Sequence, residues 1–322
     1  MRCYMAPLEG ITGYVYRNAF HRHFGGIDRY FTPFLTNRGL NHRERQDILP
    51  AHNQGMEVIP QILTNQADLF LELGEILAGY GYGEVNLNLG CPSGTVASKG
   101  RGSGFLARLP ELERFLDEIF RRSPLPISIK TRIGFSSPEE WSEIFALLER
   151  YPMTELIIHP RVREDFYRNT PRREAYAYAY HRAKQPLCYN GDLFTPGDLA
   201  DICAQFPNTG RVMLGRGLIA NPWLALEMAG NPPVRSRDTL LEFCQEILEG
   251  YRAQMSGERP VLFHLKELWS YLSNLFEEEA VAKPLKRLRK ANGLAEYQQA
   301  AEDLIAQCPF RAEGSEAWHK QR

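Results

Sequence analysis

A (β/α)8 barrel followed by a small all-helical domain is the fold class this sequence predicts. Three observations carry it. Eight short β-like runs alternate with amphipathic helical stretches over roughly 230 residues. No run is followed by GxGxxG, which removes the dinucleotide signature of the runner-up, a doubly wound open sheet. After a proline-rich polar stretch, Asn231 to Asp238, the pattern turns wholly helical.

The candidate strands are Cys3–Leu8, Arg29–Leu35, Val58–Leu63, Glu84–Leu89, Ile127–Arg132, Glu155–His159, Leu187–Asn190 and Arg211–Leu214. Between them, Leu112, Phe115, Leu116 and Ile119 stand at i, i+3, i+4 and i+7 and define one helix face. Ile144, Leu147 and Leu148 define another. Past the linker, Leu265, Leu268, Trp269, Leu272, Leu275 and Phe276 form an apolar helical stripe. On the next helix Lys283, Lys286, Arg287 and Lys290 share a face opposite Leu285 and Leu288. The expected organisation is a barrel over residues 1–234, a helical domain over 238–308 and a polar, frayed tail over 309–322.

Bulk properties narrow the function. The chain has 322 residues, 43% hydrophobic and 24% charged, as in ordinary soluble domains. It has no apolar run long enough for a bilayer, and Met1–Pro7 does not read as a signal peptide. The six cysteines form no CxxC pair, which argues against a zinc site or a disulfide framework and fits a reducing cytoplasm. No metal and no membrane partner are expected. A net charge of −1 means that any nucleic-acid contact must come from local patches.

In a barrel, functional side chains gather at the C-terminal ends of the strands. Those ends carry Ala6-Pro7-Leu8-Glu9-Gly10, Gln61, Asn88 and Cys91, Lys130 and Arg132, His159-Pro160-Arg161, Asn190-Gly191-Asp192, and Gly215-Arg216-Gly217. Singly each has a dull explanation: His159 as a satisfied core histidine, Cys91 as a structural thiol before a turn. Together at one end they describe a functional face. Gly191 and Gly215–Gly217 follow the last two strands, where barrels commonly build phosphate sites from backbone N–H groups, and Arg216 adds a planar donor fork. Lys130 can face a ring whose reduction builds negative charge. Cys91, fixed between Gly90 and Pro92, opens a glycine-rich basic loop running to Gly104 that is expected to be mobile. A phosphate site, a cation under a ring and a thiol opposite describe a flavin mononucleotide site.

These pieces resemble the tRNA-dihydrouridine synthase family. The matching segments are Met5–Gly10, Asn88–Pro92, Ser128–Gly134, His159-Pro160-Arg161 with Tyr167, Tyr189–Asp192, Met213–Gly217 with Asn221-Pro222-Trp223, and His264–Leu272. The resemblance implies an FMN enzyme that reduces the C5–C6 bond of selected tRNA uridines with NADPH. By carry-over, Ala6, Pro7 and Leu8 lie against the flavin, and Gln61 and Lys130 bond its ring system. His159 sits near the flavin or the uracil. Asn190, Gly191, Asp192, Gly215 and Arg216 hold the phosphate. Asn88 contacts the uracil, and Cys91 gives a proton to C5. Lys99 and Arg161 are expected to touch substrate, and Lys283, Lys286 and Arg287 to meet tRNA phosphates, although a solvated charged face is an equal reading of the last three. A cytoplasmic monomer is expected. The alternative is a flavin barrel acting on a free pyrimidine such as dihydroorotate. Asn86 departs from the family's usual aspartate, Leu8 from a common methionine, Pro33 from a frequent glutamate and Pro160 from a common glycine.

Overall fold

The structure is a computed structural model that describes residues 1–230 and 232–312. Its strands are β1 (Arg2–Met5), β2 (Arg29–Phe31), β3 (Val58–Ile59), β4 (Gln61–Ile62), β5 (Val85–Leu89), β6 (Ile127–Gly134), β7 (Leu156–Val162), β8 (Leu187–Tyr189) and β9 (Arg211–Leu214). They form one parallel sheet in the order β3-β2-β1-β9-β8-β7-β6-β5-β4. The two ends of that order are neighbours in sequence, separated by Pro60 alone, so the sheet curls into a nearly closed barrel. Among the described residues nine strands replace the expected eight, because proline has no N–H for the ladder and splits the third run in two. Leu35 bridges the split: its N–H donates to Gln61 O at 2.8 Å, and its carbonyl accepts from Leu63 N at 3.0 Å.

The side-chain period of two sorts residues between two cores. Tyr4, Ala6, Phe31, Ile59, Ile157, Cys188 and Met213 fill the barrel interior. The outward positions pack against the helices, Met5, Leu87, Ile129, Ile158 and Leu214 among them. Cys188 is thus a structural thiol. The longest strands, β6 and β7, overrun their expected ends. A register shift between Arg132 and Gly134 absorbs the irregularity, with Arg132 opposite His159 and Gly134 opposite Val162. Pro160 therefore sits inside β7 without ending it.

The helices are α1 (Tyr14–His23), α2 (His42–Ile48), α3 (Ala67–Gly79), α4 (Gly94–Ala97), α5 (Leu109–Arg122), α6 (Trp141–Leu148), α7 (Arg173–Tyr180), α8 (Pro196–Gln205), α9 (Arg216–Ala220), α10 (Leu224–Met228), α11 (Arg237–Gln254), α12 (Glu258–Leu272), α13 (Glu278–Lys290) and α14 (Leu294–Gln307). The last four form the helical region, and its apolar stripe is buried from Leu265 to Phe276. Trp269 anchors it, donating from Nε1 to Tyr297 OH at 2.8 Å. Pro284 lies within α13, where its missing N–H frees the Ala280 carbonyl; the Cys308 thiol donates to that oxygen at 3.5 Å. The region is seated on the barrel. The Phe243 ring meets Phe24 edge-on at 4.9 Å, and Phe24 meets Trp223 at 5.0 Å.

The start of the expected tail is ordered, contrary to the fraying anticipated for it. Phe310 stacks on Phe276 at 5.3 Å, and Arg311 N donates to Leu275 O at 2.8 Å. The rest of that tail, 313–322, lies outside the described residues. Among the described residues no helix is long and apolar enough to cross a membrane.

Candidate active site

Two adjoining cavities open at the C-terminal end of the barrel. The larger, about 310 Å³, is lined by Gln61, Asn88 and Cys91 among others. The narrower, about 70 Å³, is lined by Ala6, Asn190, Gly191, Asp192, Gly215 and Arg216. Pro7, Leu8, Lys130, His159 and Tyr167 border both. Every residue assigned to the flavin from sequence therefore lines one or other of these adjoining cavities.

The floor under Cys91 is a chain of buried amides. Asn88 Oδ1 accepts the backbone N–H groups of Gly90 and Cys91, both at 2.9 Å. Asn88 Nδ2 donates to Gln61 Oε1 at 2.7 Å, and Gln61 Nε2 donates to Asn86 Oδ1 at 2.7 Å. Asn86 Nδ2 donates to Ser128 Oγ at 2.9 Å. The loop beyond Cys91, expected to be mobile, is folded back on it. Ser103 Oγ donates to the Cys91 carbonyl at 2.7 Å. Gly102 has φ of +55°, and a Cβ there would stand 3.0 Å from the Cβ of Cys91, so glycine is required. Burial raises the Cys91 thiol above its ordinary value, so it is protonated at neutral pH.

The wall beside it is cationic. Burial, then Arg132, pulls the Lys130 ammonium down to about 8, and it has no hydrogen-bond or ion-pair partner among the described residues. Burial and the charges of Arg132, Lys130, Arg161 and Arg216 push His159 well below its ordinary value, so the ring is neutral. Arg161 Nη1 lies 3.1 Å from His159 Nε2. A guanidinium only donates, so Nε2 is the acceptor and the ring proton sits on Nδ1.

Arg132 was read from sequence only as a companion to Lys130, yet it organises this wall. It donates to the carbonyls of Gly90 at 3.0 Å, Val162 at 2.9 Å and Phe166 at 2.7 Å. The last bond holds Phe166 at φ of +51°, a conformation costing a non-glycine residue about 1–3 kcal/mol. That turn presents Tyr167 between the guanidinium groups of Arg216, 4.6 Å from the ring centre, and Arg132, at 5.4 Å.

The remaining sequence-assigned residues fall elsewhere. Arg161, expected to touch substrate, is fully buried. It spends its guanidinium on Asp192, His159 and the Asn169 carbonyl, because a buried charge must be paired. It stands behind the cavity wall. Asp192 lines the narrower cavity, but it too spends its carboxylate on Arg161 and Arg216. Lys99 is exposed on the loop; its backbone bonds to Asn65 and Val96, and its side chain has no hydrogen-bond or ion-pair partner among the described residues. Lys283, Lys286 and Arg287 are exposed on α13, with Arg287 paired to Asp303 at 2.7 Å. Sequence reasoning missed Glu267 and Tyr271, which reach the larger cavity from α12. Their four-residue spacing, away from the apolar stripe, was the available signal. Among the described residues no group of three or more His, Cys, Asp or Glu is placed to hold a metal.

Residues 4–308 match the family model of dihydrouridine synthases (Dus). The chain is 30% identical over 240 residues to the tRNA-dihydrouridine(16) synthase of Pseudomonas putida, covering 71% of this chain and 73% of that protein. It is 26% identical over 273 residues to tRNA-dihydrouridine synthase B of Pasteurella multocida, covering 84% and 78%. Among solved structures, the barrel resembles a variant of NCR from Zymomonas mobilis (TM-score 0.51, 14% identity, 73% of this chain and 88% of that one). It also resembles morphinone reductase in complex with tetrahydroNAD (TM-score 0.51, 13% identity, 75% and 90%). These two likenesses bear on the fold alone. The chain belongs to the dihydrouridine synthase family of flavin-dependent oxidoreductases that act on tRNA.

Proposed function

We propose that this enzyme binds FMN in the paired cavities, draws its electrons from NADPH, and reduces the C5–C6 double bond of specific tRNA uridines with Cys91 as the proton donor to C5. The observation that carries the reading is the presence of two groups in one cavity. A thiol kept protonated by burial lines the same cavity as a lysine whose ammonium has no hydrogen-bond or ion-pair partner among the described residues.

The residues present fit the cofactor. The Gly191 and Gly215–Gly217 backbone with Arg216 suits its phosphate. At Gly191 a Cβ would meet Tyr189 OH at 2.2 Å, and at Gly217 one would meet Leu193 O at 2.1 Å, so only glycine leaves this backbone open. Lys130 suits the ring edge where charge builds, while Ala6, Pro7 and Leu8 give an apolar wall. When bound, FMN supplies hydride to C6 of the uracil.

Everything else is done by the chain. Asn88 fixes the Cys91 backbone and borders the space where the uracil would lie. Cys91 donates its proton to C5, the step a protonated thiol is suited to and a thiolate is not. Arg161 positions Asp192 and the neutral His159. The uridine must leave the base stack to arrive here. The exposed basic residues of α13 then meet phosphates of the tRNA body.

The test is a visible spectrum of purified protein. Flavin absorbance that bleaches with NADPH and returns on adding unmodified tRNA transcript supports the proposal. A flavin spectrum indifferent to tRNA would instead favour a reductase of free pyrimidines.

A further inference from the structure

Phe263 is 68% exposed on α12, the most exposed aromatic side chain among the described residues. A lone exposed apolar residue needs no explanation. This one stands in register with the cavity. Arg259, Phe263, Glu267 and Tyr271 follow one another at four-residue intervals, so they form a single ridge of the helix. The ridge begins in solvent and ends inside: Glu267 and Tyr271 line the same cavity as Cys91 and Lys130. Tyr271 lies close enough to Arg216 to feel its charge.

The polar groups on this ridge are uncommitted. The Glu267 carboxylate, the Tyr271 hydroxyl and the Arg259 guanidinium have no hydrogen-bond or ion-pair partner among the described residues. The helix itself is fixed. His264, next to Phe263, hydrogen-bonds through Nδ1 to the Gly10 carbonyl at 2.9 Å, and Leu265, Leu268 and Trp269 are buried behind. A rigid helix thus presents a cation, an exposed ring, a carboxylate and a hydroxyl in a line that descends into the cavity.

We infer that this ridge is the edge along which the RNA strand enters, with Phe263 the stacking platform for a base flanking the extruded uridine. The inference rests on the proposed action on tRNA. An extruded nucleotide leaves its neighbour with an open face, and an aromatic ring at the lip supplies a replacement surface. Arg259, one turn outward, meets the strand's phosphate. Glu267 and Tyr271, inside, offer hydrogen bonds to the extruded nucleotide.

The experiment compares full-length wild type, Phe263→Ala and Phe263→Trp on one unmodified tRNA transcript. It measures transcript binding, steady-state dihydrouridine formation and thermal unfolding. Wild-type turnover tests the functional reading; the comparison among the three proteins tests the ridge. Phe263→Ala is expected to weaken binding and raise KM about tenfold, with kcat within about twofold and melting unchanged. Phe263→Trp is expected to restore affinity. Unaltered binding in Phe263→Ala overturns the inference, as does a loss that tryptophan fails to rescue. Should wild type bind the transcript without reducing it, the functional reading fails, and the ridge still stands or falls on the binding comparison.

Discussion

Arg161 holds Asp192 through both carboxylate oxygens, Nη1 to Oδ1 at 2.9 Å and Nη2 to Oδ2 at 2.5 Å. Arg216, at the mouth of the narrower cavity, reaches the same Oδ1 at 2.6 Å. A buried arginine that touches no ligand therefore sets where a ligand-facing arginine points. Arg161→Met leaves Asp192 with one partner in place of two. Breaking a buried pair costs about 3–5 kcal/mol, so urea unfolding is expected to shift by about that amount and flavin retention to fall. An unchanged midpoint would show that the pair is dispensable.

Cys91→Ala is expected to keep its flavin and to slow uridine reduction about 10²- to 10⁴-fold, the usual weight of a positioned acid. Burial raises the thiol, so the wild-type rate should stay level through neutral pH and decline only as pH climbs through the shifted value. Near-normal single-turnover oxidation of the reduced variant by transcript would remove Cys91 from the proton path.

Lys130 carries the opposite sign. Its folded value, about 8, lies below the ordinary 10.5. Between these values the unfolded chain binds more protons than the folded one, so stability rises with pH across that window. The burden of the buried ammonium is fully present below pH 8. Lys130→Met is thus expected to stabilise the ligand-free protein at pH 7, on the order of 1–3 kcal/mol, and to bind flavin more weakly. The two proteins' melting temperatures should converge toward pH 10. A variant less stable than wild type at pH 7 contradicts this.

Replacing Lys283, Lys286 and Arg287 together by alanine is expected to weaken transcript binding most at low salt. The slope of log affinity against log salt should become shallower by about 2 to 3. Arg287 must first leave Asp303, so its share should be the smallest. Equal slopes for the two proteins would leave this face as a solvated helix surface.

Much of this was legible in the chain because barrel geometry turns a one-dimensional pattern into a site. Polar residues at the C-terminal ends of β-like runs must converge, and Gln61, Asn88, Lys130, His159 and Asn190 do. What escaped were consequences of pairing. Arg161 and Arg132 look alike in sequence to a ligand-facing arginine. Only their burial and carbonyl partners show that one positions Asp192 and the other shapes the 163–167 turn. Pro60 split a strand that periodicity alone would join, and Pro160 failed to end one because a register shift accommodated it. Glu267 and Tyr271 come from a helix distant in sequence; their spacing sets them off the apolar stripe, but nothing local announces that the helix reaches over the barrel mouth.

The amide row beneath Cys91 has a direction. A backbone N–H can only give, so Asn88 must turn its oxygen toward Gly90 and Cys91. That choice forces Gln61, then Asn86, to offer nitrogen onward, until Ser128 receives the last bond. No member can flip alone without setting like against like at both of its neighbours. An aspartate at position 86 could only receive, and would make Ser128 the giver. With Asn86 the row is uncharged and ends on a hydroxyl whose own hydrogen is still unspoken for by the amides. The polarity of the barrel floor in this protein is therefore written from the thiol outward.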